Sequence, residues 1–397
     1  MPSDPREAEA PTSRSIPLAV PNISGREWEY VKECLDTGWV SSVGSFVDRF
    51  EQELARAVGA QYAVATTSGT AALHVALQLA GVEADDEVIV PALTFIAPAN
   101  AVRYCGAWPV FLDVTNDTWQ LDPHAVAAFL REECEPMPSG MRNRRTGRRV
   151  RAILPVHLLG HPVDLDRLRE SAATHDLRIV EDGTEALGAR YRDQPVGSGP
   201  STVCFSFNGN KLLTTGGGGM LCTNDAELAR RARYLTTQAK DDPLEFVHGA
   251  VGYNYRLTNV QAAIGCAQLE RLDEFLATKR RIANGYRDGF ADIPGIQLQA
   301  ESPWAHSSWW LPTARFAPEL LPDGPKPYIA RLQEHGIQAR PLWQPLNRSP
   351  AHRESASPPC PAAERIQSEA LSLPCSTSLA PADQQFVIDA IRQICGR

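Results

Sequence analysis

The chain has 397 residues, of which 43% are hydrophobic and 22% charged, a composition typical of a globular protein with a sizeable core. Its formal net charge of -8 argues against a general nucleic-acid binder, because neutralising phosphates requires an excess of clustered Lys and Arg. No stretch reaches the roughly 20 uninterrupted apolar residues of a membrane span. Nine scattered cysteines without a C-x-x-C pair indicate reduced thiols, a soluble cytoplasmic protein and no metal site.

The N-terminal part of the chain is predicted to be a tail followed by two helices. Residues 1–14 are rich in Pro, Ser and charge, which predicts a disordered tail. Ser24 is predicted to cap a helix that runs to about Leu35, and a second, amphipathic helix follows a Gly/Ser-rich turn. In that turn, Ser42 is either a residue that lines a site or an ordinary turn residue.

A small-residue turn then joins a strand to a helix. The strand covers 62–66, the turn is Ser68-Gly69-Thr70, and the helix ends near Gly81. Free backbone N–H groups and the helix dipole favour an anion at a helix start, and hydroxyl groups add donors. The turn is therefore a candidate phosphate site, although the same residues also suit an ordinary N-cap.

Strands and helices alternate between residues 62 and 207, which indicates an α/β domain with a mostly parallel sheet. Further strands are predicted at 87–91, 108–113, 150–155, 178–181 and 203–207, with helices near 96–104, 123–131 and 165–175. The basic run Arg142–Arg151 is expected to be a solvated loop or hairpin. Ligands in such sheets bind beyond the carboxyl ends of the strands.

Two polar residues lie at predicted strand ends. Asp182 follows the strand segment RIVE, where a buried carboxylate can keep the ring nitrogen of a cofactor protonated. The alternative is that Asp182 caps the following turn. His157 ends the strand ILPVH, and it either contacts a ligand or donates to a neighbouring loop.

One lysine has an unusual setting in the segment CFSFNGNKLLTTGGGGM, residues 204–220. Of the five lysines, only Lys211 lies between a strand-like segment and a glycine run. A lysine that attacks a carbonyl must be held still and partly desolvated, and Gly216–Gly219 allow backbone or a flat cofactor to come close. On this segment alone, a surface lysine beside a flexible turn remains an equal alternative.

The C-terminal third differs in character. A helix is predicted at 225–237, a polar loop at 239–250, and a long helix capped by Thr258 or Asn259. Beyond Ile293 prolines are frequent and strands short. We therefore expect a large domain at 15–257, followed by an interdomain helix and a smaller α+β domain at 258–397.

Several motifs together resemble the DegT-like nucleotide-sugar aminotransferases, a family of fold-type I enzymes that use pyridoxal 5'-phosphate (PLP). They cover most of residues 15–275 and read TSGTAALHVAL, PALTFIAPANAV, PVHLLGHPVDLD, EDGTEALGA, FSFNGNKLLTTGGGGM and GYNYRLTNVQAAIGCAQL. The order of phosphate turn, strand-end aspartate and lysine is that of fold-type I enzymes. The resemblance implies an α/β fold, PLP as cofactor and pyridoxamine phosphate as its amino-carrying form.

Carried over residue by residue, the resemblance implies that Lys211 forms the Schiff base with PLP and that Asp182 pairs with the pyridine nitrogen. It implies that Ser68, Gly69, Thr70 and Ser206 hold the phosphate, that Phe95 stacks on the ring, and that Glu185 lies near the 3-hydroxyl. Asn254 would reach the phosphate of the neighbouring subunit, so a homodimer is expected.

Three residues depart from the commonest family pattern. Glu185 replaces Gln or His, Gly217 replaces the Glu of GEGG, and Trp343 replaces a His. These variants are similar to the branch that aminates C4 of UDP-linked 2-acetamido-4-keto-6-deoxy sugars, of the bacillosamine and legionaminic acid type. Candidate substrate contacts are Ser42, His157, Arg256, Arg340 and Trp343.

The expected reaction moves an amino group from glutamate to the 4-keto carbon of a nucleotide-linked sugar. A PLP-dependent sugar dehydratase of the same fold is one alternative, but such proteins replace the lysine with histidine. A non-catalytic regulatory protein that kept the fold is another. An NAD-binding enzyme is disfavoured because no G-x-G-x-x-G follows the first strand.

We predict that Lys211→Ala abolishes turnover and the visible absorbance of the bound cofactor together, because both depend on the same amine. Absorbance spectra and a transamination assay on one preparation check this. Full activity in the variant would end the proposal.

Overall fold

The structure is a computed structural model that describes residues 14–138, 140–242 and 244–396. The predicted tail at 1–14 therefore lies outside the described residues, except for Arg14, which forms an ion pair with Asp383 at 2.5 Å. None of the helices in the described part of the chain combines the length and apolar character needed to cross a membrane.

The helices follow the chain in this order: α1 (Glu27–Thr37), α2 (Ser45–Val58), α3 (Gly69–Leu79), α4 (Ala97–Tyr104), α5 (Pro123–Glu132), α6 (Leu165–Thr174), α7 (Ala226–Thr236), α8 (Asn259–Leu269), α9 (Leu272–Gly289), α10 (Pro325–Glu334), α11 (Pro361–Glu369) and α12 (Pro381–Ile394). The first strands are β1 (Tyr62–Thr66), β2 (Glu87–Pro91), β3 (Trp108–Leu112), β4 (Cys134–Met137), β5 (Gly140–Asn143), β6 (Arg149–Ile153), β7 (Arg178–Asp182), β8 (Arg190–Tyr191) and β9 (Gln194–Pro195). The remaining strands are β10 (Thr202–Ser206), β11 (Gly219–Thr223), β12 (Lys240–Asp242), β13 (Val247–His248), β14 (Ile296–Leu298), β15 (Ala305–His306), β16 (Thr313–Phe316), β17 (Arg340–Pro341) and β18 (Ala370–Ser372).

A nine-stranded sheet forms the centre of the larger part of the molecule. Its main strand order is β1-β11-β10-β7-β6-β2-β3, and the β4–β5 hairpin adds beside β6. The pairs β10–β7, β7–β6, β6–β2 and β2–β3 are parallel. Every residue of β2 is buried, as expected for a strand covered by helices on both faces. The predicted α/β fold with a mostly parallel sheet is confirmed.

Strand β11 runs in the opposite direction, so that it starts at the edge of the sheet where its neighbours end. It pairs antiparallel with β10 and β1, so that its first residue, Gly219, lies opposite both Ser206 and Thr66. The parallel ladder between β7 and β10 places Cys204 beside Asp182. The ends of β1, β7 and β10 therefore meet at one edge, together with the start of β11.

Two predictions about helices were wrong. Ser24 does not cap α1, because its hydroxyl donates to the Asn22 side chain at 2.6 Å and the helix begins only at Glu27. The long helix after Thr258 is two helices, α8 and α9, which are separated at Glu270 and Arg271. Thr258 does cap α8, in a capping box with Gln261.

The basic run is a hairpin, one of the two forms expected for it. Strand β5 pairs antiparallel with β4 on one side and with β6 on the other. Its arginines lie among carboxylates: Arg142 pairs with Glu135 at 2.6 Å and Arg149 with Asp86 at 2.7 Å. Carboxylates thus compensate part of the positive charge of the run.

The C-terminal part has its own four-stranded antiparallel sheet, in the order β14-β16-β18-β17. Helix α12 packs against α9 and α10. This matches the expected smaller α+β part. We propose the division near residue 257, because α8 and α9 lie between the last strand of the large sheet and the first of the small one.

Candidate active site

A cavity of about 250 Å³ opens where the strands of the large sheet end. Segments from both parts of the chain line it. The lining residues are Thr67, Ser68, Gly69, Thr70, Leu73, Phe95, Ala97, Thr184, Glu185, Ser206, Asn208, Asn210, Lys211, Gly217, Gly218, Trp310 and Trp343. Ligands of α/β proteins bind at this edge.

The start of α3 forms one wall of the cavity. Ser68 is the N-cap, and its hydroxyl and carbonyl oxygens accept the N–H groups of Ala71 and Ala72. The first N–H groups of a helix have no carbonyl to bond within it, which leaves those of Gly69 and Thr70 for a ligand. A Cβ on Gly69 would lie 2.8 Å from that of Ser206, so only glycine lets β10 approach this turn. The turn is an N-cap, and it leaves two N–H groups that could hold an anion.

Asp182 is buried at the end of β7 behind the cavity. Its Oδ1 accepts the N–H of Thr184 at 2.9 Å, so it also caps the following turn. Burial raises the pKa of Asp182, whereas the Thr184 hydrogen bonds and the charge of Lys211 lower it. A buried carboxylate of this kind stabilises a partner that brings a positive charge.

Lys211 faces the cavity, and its side chain is only 14% exposed. Its Nζ lies 3.4 Å from Glu185 Oε1 and 4.2 Å from the centre of the Trp310 ring. A backbone turn fixes its position, because the Lys211 N–H donates to the Asn208 carbonyl at 3.0 Å. The alternative of an exposed surface lysine is therefore wrong.

Glu185 is held from two sides. Its Oε2 accepts the N–H of Leu159 at 2.8 Å, and its backbone carbonyl accepts the hydroxyl of Ser308 at 2.9 Å. Burial raises the pKa of this carboxyl, and the nearby Lys211 charge lowers it in part.

Three aromatic side chains cover the cavity. Phe95 is 51% exposed, and its ring meets that of Trp343 edge-on with centroids 6.2 Å apart. Trp343 stacks on Trp310 at 6.4 Å, and the Trp310 indole donates to the Asn210 carbonyl at 2.7 Å. The two tryptophans come from the C-terminal part, so the cavity lies between it and the large sheet.

Four predicted substrate contacts lie outside the cavity lining, namely Ser42, His157, Arg256 and Arg340. His157 is fully buried, with Nε2 3.0 Å from Glu181 and Nδ1 accepting the N–H of Val163, which argues against a direct substrate contact. Arg340 is exposed on β17, and Ser42 is half-buried beyond α1.

Arg256 and Asn254 belong to a segment beside the phosphate turn. Arg256 is ion-paired with Glu51, and Glu51 also accepts the N–H of Ala65 at 2.8 Å. This pairing argues against a contact between Arg256 and a substrate bound in its own chain. Asn254 is exposed and does not line the cavity of its own chain. Such a position suits a contact with another subunit.

The sequence did not single out Thr184 or Trp310, both of which line the cavity. Thr184 lies two residues after Asp182, and this short spacing from a predicted site residue could have indicated that it lines the cavity. Trp310 had none, because HSSWWLPTARF indicated only a short strand in a distant part of the chain.

The residues present fit PLP. The free N–H groups at the start of α3 and the Ser206 hydroxyl suit its phosphate, and the buried Asp182 suits a protonated ring nitrogen. Lys211 suits its aldehyde, and the aromatic cover suits a flat ring. Gly219 is a second position that has no room for a side chain, because a Cβ there would lie 2.4 Å from the Ser68 backbone.

Comparison with known proteins agrees with this fit. Residues 21–392 match the DegT/DnrJ/EryC1/StrS aminotransferase family. The chain is 40% identical over 385 residues to GDP-perosamine synthase of Caulobacter vibrioides, which covers 96% of this chain and 98% of that protein. It is 36% identical over 383 residues to GDP-perosamine synthase of Escherichia coli O157:H7, with coverages of 95% and 98%.

The solved structure of S. venezuelae DesV, in complex with a ketimine intermediate, is 35% identical. It superposes with a TM-score of 0.83 over 94% of this chain and 95% of that one. Fold and site thus define a PLP-dependent transferase. More particularly, the chain belongs to the DegT/DnrJ/EryC1/StrS aminotransferase family, and it is a sugar aminotransferase.

We predict that Gly219→Ala weakens PLP binding by about tenfold or more, since the new methyl group must displace the phosphate turn and its charge-assisted hydrogen bonds. Titration of the PLP-free protein, followed by visible absorbance, measures this. Gly209→Ala is the matched control, because a Cβ at Gly209 meets nothing within 4 Å. Equal affinities in the two variants would contradict the prediction.

Proposed function

We propose that this protein transfers the amino group of glutamate to C4 of a nucleotide-linked 4-keto-6-deoxy sugar, with Lys211 as the catalytic amine. The observation that carries the proposal is the position of Lys211, in a cavity between the phosphate turn, a buried aspartate and an aromatic cover. The family membership supports the same reaction class.

The cofactor would be held at three points. Ser68, Gly69, Thr70 and Ser206 would bind the phosphate, Asp182 would hold a proton on the ring nitrogen, and Phe95 would stack on the ring. When bound, PLP supplies a carbonyl that links to amines and a ring that withdraws electrons. The buried Asp182 maintains that withdrawal because its negative charge favours the protonated nitrogen.

Lys211 would carry the proton transfers. As a free amine, the Nζ of Lys211 would take the proton from the α-carbon of glutamate, and in the second half-reaction it would give a proton to C4 of the sugar. The indole ring of Trp310 beside Nζ excludes water from this atom. Trp343 completes the cover and is the one predicted substrate contact that lines the cavity.

The nucleotide that we favour is GDP. The UDP branch expected from the sequence variants lacks support, whereas two relatives that match nearly the whole chain are named GDP-perosamine synthases. A PLP-dependent dehydratase stays less favoured because Lys211 is present, and a non-catalytic regulator because the lysine, aspartate and phosphate turn are all retained.

The active unit that we propose is a homodimer. Asn254 is exposed next to the phosphate turn, and Tyr255 beside it accepts the N–H of Thr67 at 2.8 Å. Exposed apolar side chains are numerous on the described surface, among them Trp28, Trp39, Val43, Tyr104 and Phe246. Burying them against a second copy, with Asn254 reaching the other cavity, accounts for both features.

We expect glutamate and a GDP-linked 4-keto-6-deoxy sugar to give 2-oxoglutarate, with UDP- and dTDP-linked 4-keto sugars reacting more slowly. A coupled assay for 2-oxoglutarate on this panel measures the preference. Faster turnover of the UDP sugar would restore the UDP assignment, and no turnover with any of them would contradict the proposed function.

Lys211→Ala and Asn254→Ala should each be inactive, and mixing them should restore activity. In a mixed dimer one site receives both wild-type residues, so random exchange gives about a quarter of wild-type activity. Co-expression with two affinity tags isolates the mixed dimer. If each cavity used its own Asn254, mixing would restore nothing.

A further inference from the structure

Glu185 and Lys211 are the only ionisable side chains that line the cavity among the residues described by the structure. The Glu185 side chain is 4% exposed and that of Lys211 14%, so water screens their charges little. Their closest atoms, Oε1 and Nζ, lie 3.4 Å apart. A change of charge on either group must therefore be felt by the other.

The carboxyl group of Glu185 cannot turn away from the lysine. Its second oxygen, Oε2, accepts the N–H of Leu159 at 2.8 Å. Leu159 has φ 59° and ψ 14°, a left-handed conformation that is rare for leucine and that this hydrogen bond helps to hold. Oε1 is thereby left facing Nζ.

The surrounding charges couple the protonation of the two groups. Besides Lys211, the charged group that faces Glu185 is Asp182, which raises the pKa of Glu185, as burial does. The lysine charge is the main effect that lowers this pKa, and the hydrogen bond from the Leu159 N–H also lowers it. When Nζ is neutral, as it must be to act as a base or nucleophile, the carboxylate loses its cation and is left buried beside a second carboxylate.

We propose that Glu185 is the proton partner of Lys211. When the lysine gives up its proton, the Nζ–H bond breaks, its electron pair stays on nitrogen, and the proton bonds to Oε1, so that carboxylate becomes carboxylic acid. The reverse transfer restores the ammonium. This transfer between the two groups leaves the net charge of the pair unchanged at zero. This inference rests on the proposed role of Lys211.

Glu185→Gln separates proton exchange from support of the backbone. The amide keeps the shape and the acceptor for the Leu159 N–H, but it cannot take up a proton. In the PLP-bound enzyme, the pH at which the visible absorbance of the Lys211-linked cofactor titrates should fall by about one unit or more, because the negative charge beside the nitrogen is gone. In the PLP-free enzyme, an amine-reactive reagent should label Lys211 about tenfold faster near pH 7, as peptide mass spectrometry reports.

Glu87→Gln is the matched control. Glu87 is also buried with a raised pKa, but it lies at the amino end of β2 and bonds to Asn143 and Thr146. The absorbance midpoint and the labelling rate of Lys211 should both keep their wild-type values in this variant.

A wild-type absorbance midpoint together with a wild-type labelling rate in Glu185→Gln would overturn the inference, and would leave Glu185 only the support of Leu159. If the variant fails to retain PLP, the labelling of the PLP-free protein decides alone. Failure of the proposed function looks different, because the wild type would then show no absorbance that Lys211→Ala removes.

Discussion

The ladder between β7 and β10 is the constraint on which the site depends. It places Cys204 beside Asp182, and two residues further along β10 ends at Ser206. Parallel strands bring their carboxyl ends to one edge, so the aspartate and the serine arrive together although 24 positions separate them in the chain. The antiparallel β11 adds Gly219 at the same edge, directly against the backbone of the phosphate turn. Sheet pairing, and not any contact of the side chains themselves, therefore sets the distance between Asp182 and Ser206.

The sequence predicted the large α/β part well, because its strands are short apolar runs and its helices start and stop at recognisable residues. It failed where local signals conflicted with tertiary contacts. Ser24 has the right spacing for a cap, but Glu27 instead accepts the N–H of Gly25 at 2.8 Å and also contacts Gln268. The apolar pattern after Thr258 continues through Glu270, so nothing in it marked the separation of α8 from α9.

Within the site, residues next to a motif were predictable and residues from the C-terminal part were not. The position of Trp310 beside Lys211 depends partly on a buried lysine that looked like an ordinary helix residue. Lys279 on α9 donates to the carbonyls of Trp310 and Cys375 at 2.8 and 2.7 Å, and so joins two C-terminal segments to the helix. A hydrogen bond from a side chain to a remote backbone carbonyl leaves no periodic trace in a sequence. Tertiary contacts also decide the role of His157, whose strand-end position suggested a ligand but whose ring nitrogens contact Glu181 and Val163.

The ion pair between Arg256 and Glu51 has a consequence for how substitutions spread through the assembly. Glu51 lies on α2 and anchors both β1, through Ala65, and the segment that presents Asn254 outward. In the proposed dimer, the arginine thus orients a residue that works in the other subunit. A substitution of Arg256 would therefore act on the other subunit. In a dimer of one altered and one wild-type subunit, the cavity of the wild-type subunit would lose function, whereas the cavity of the altered subunit would keep working.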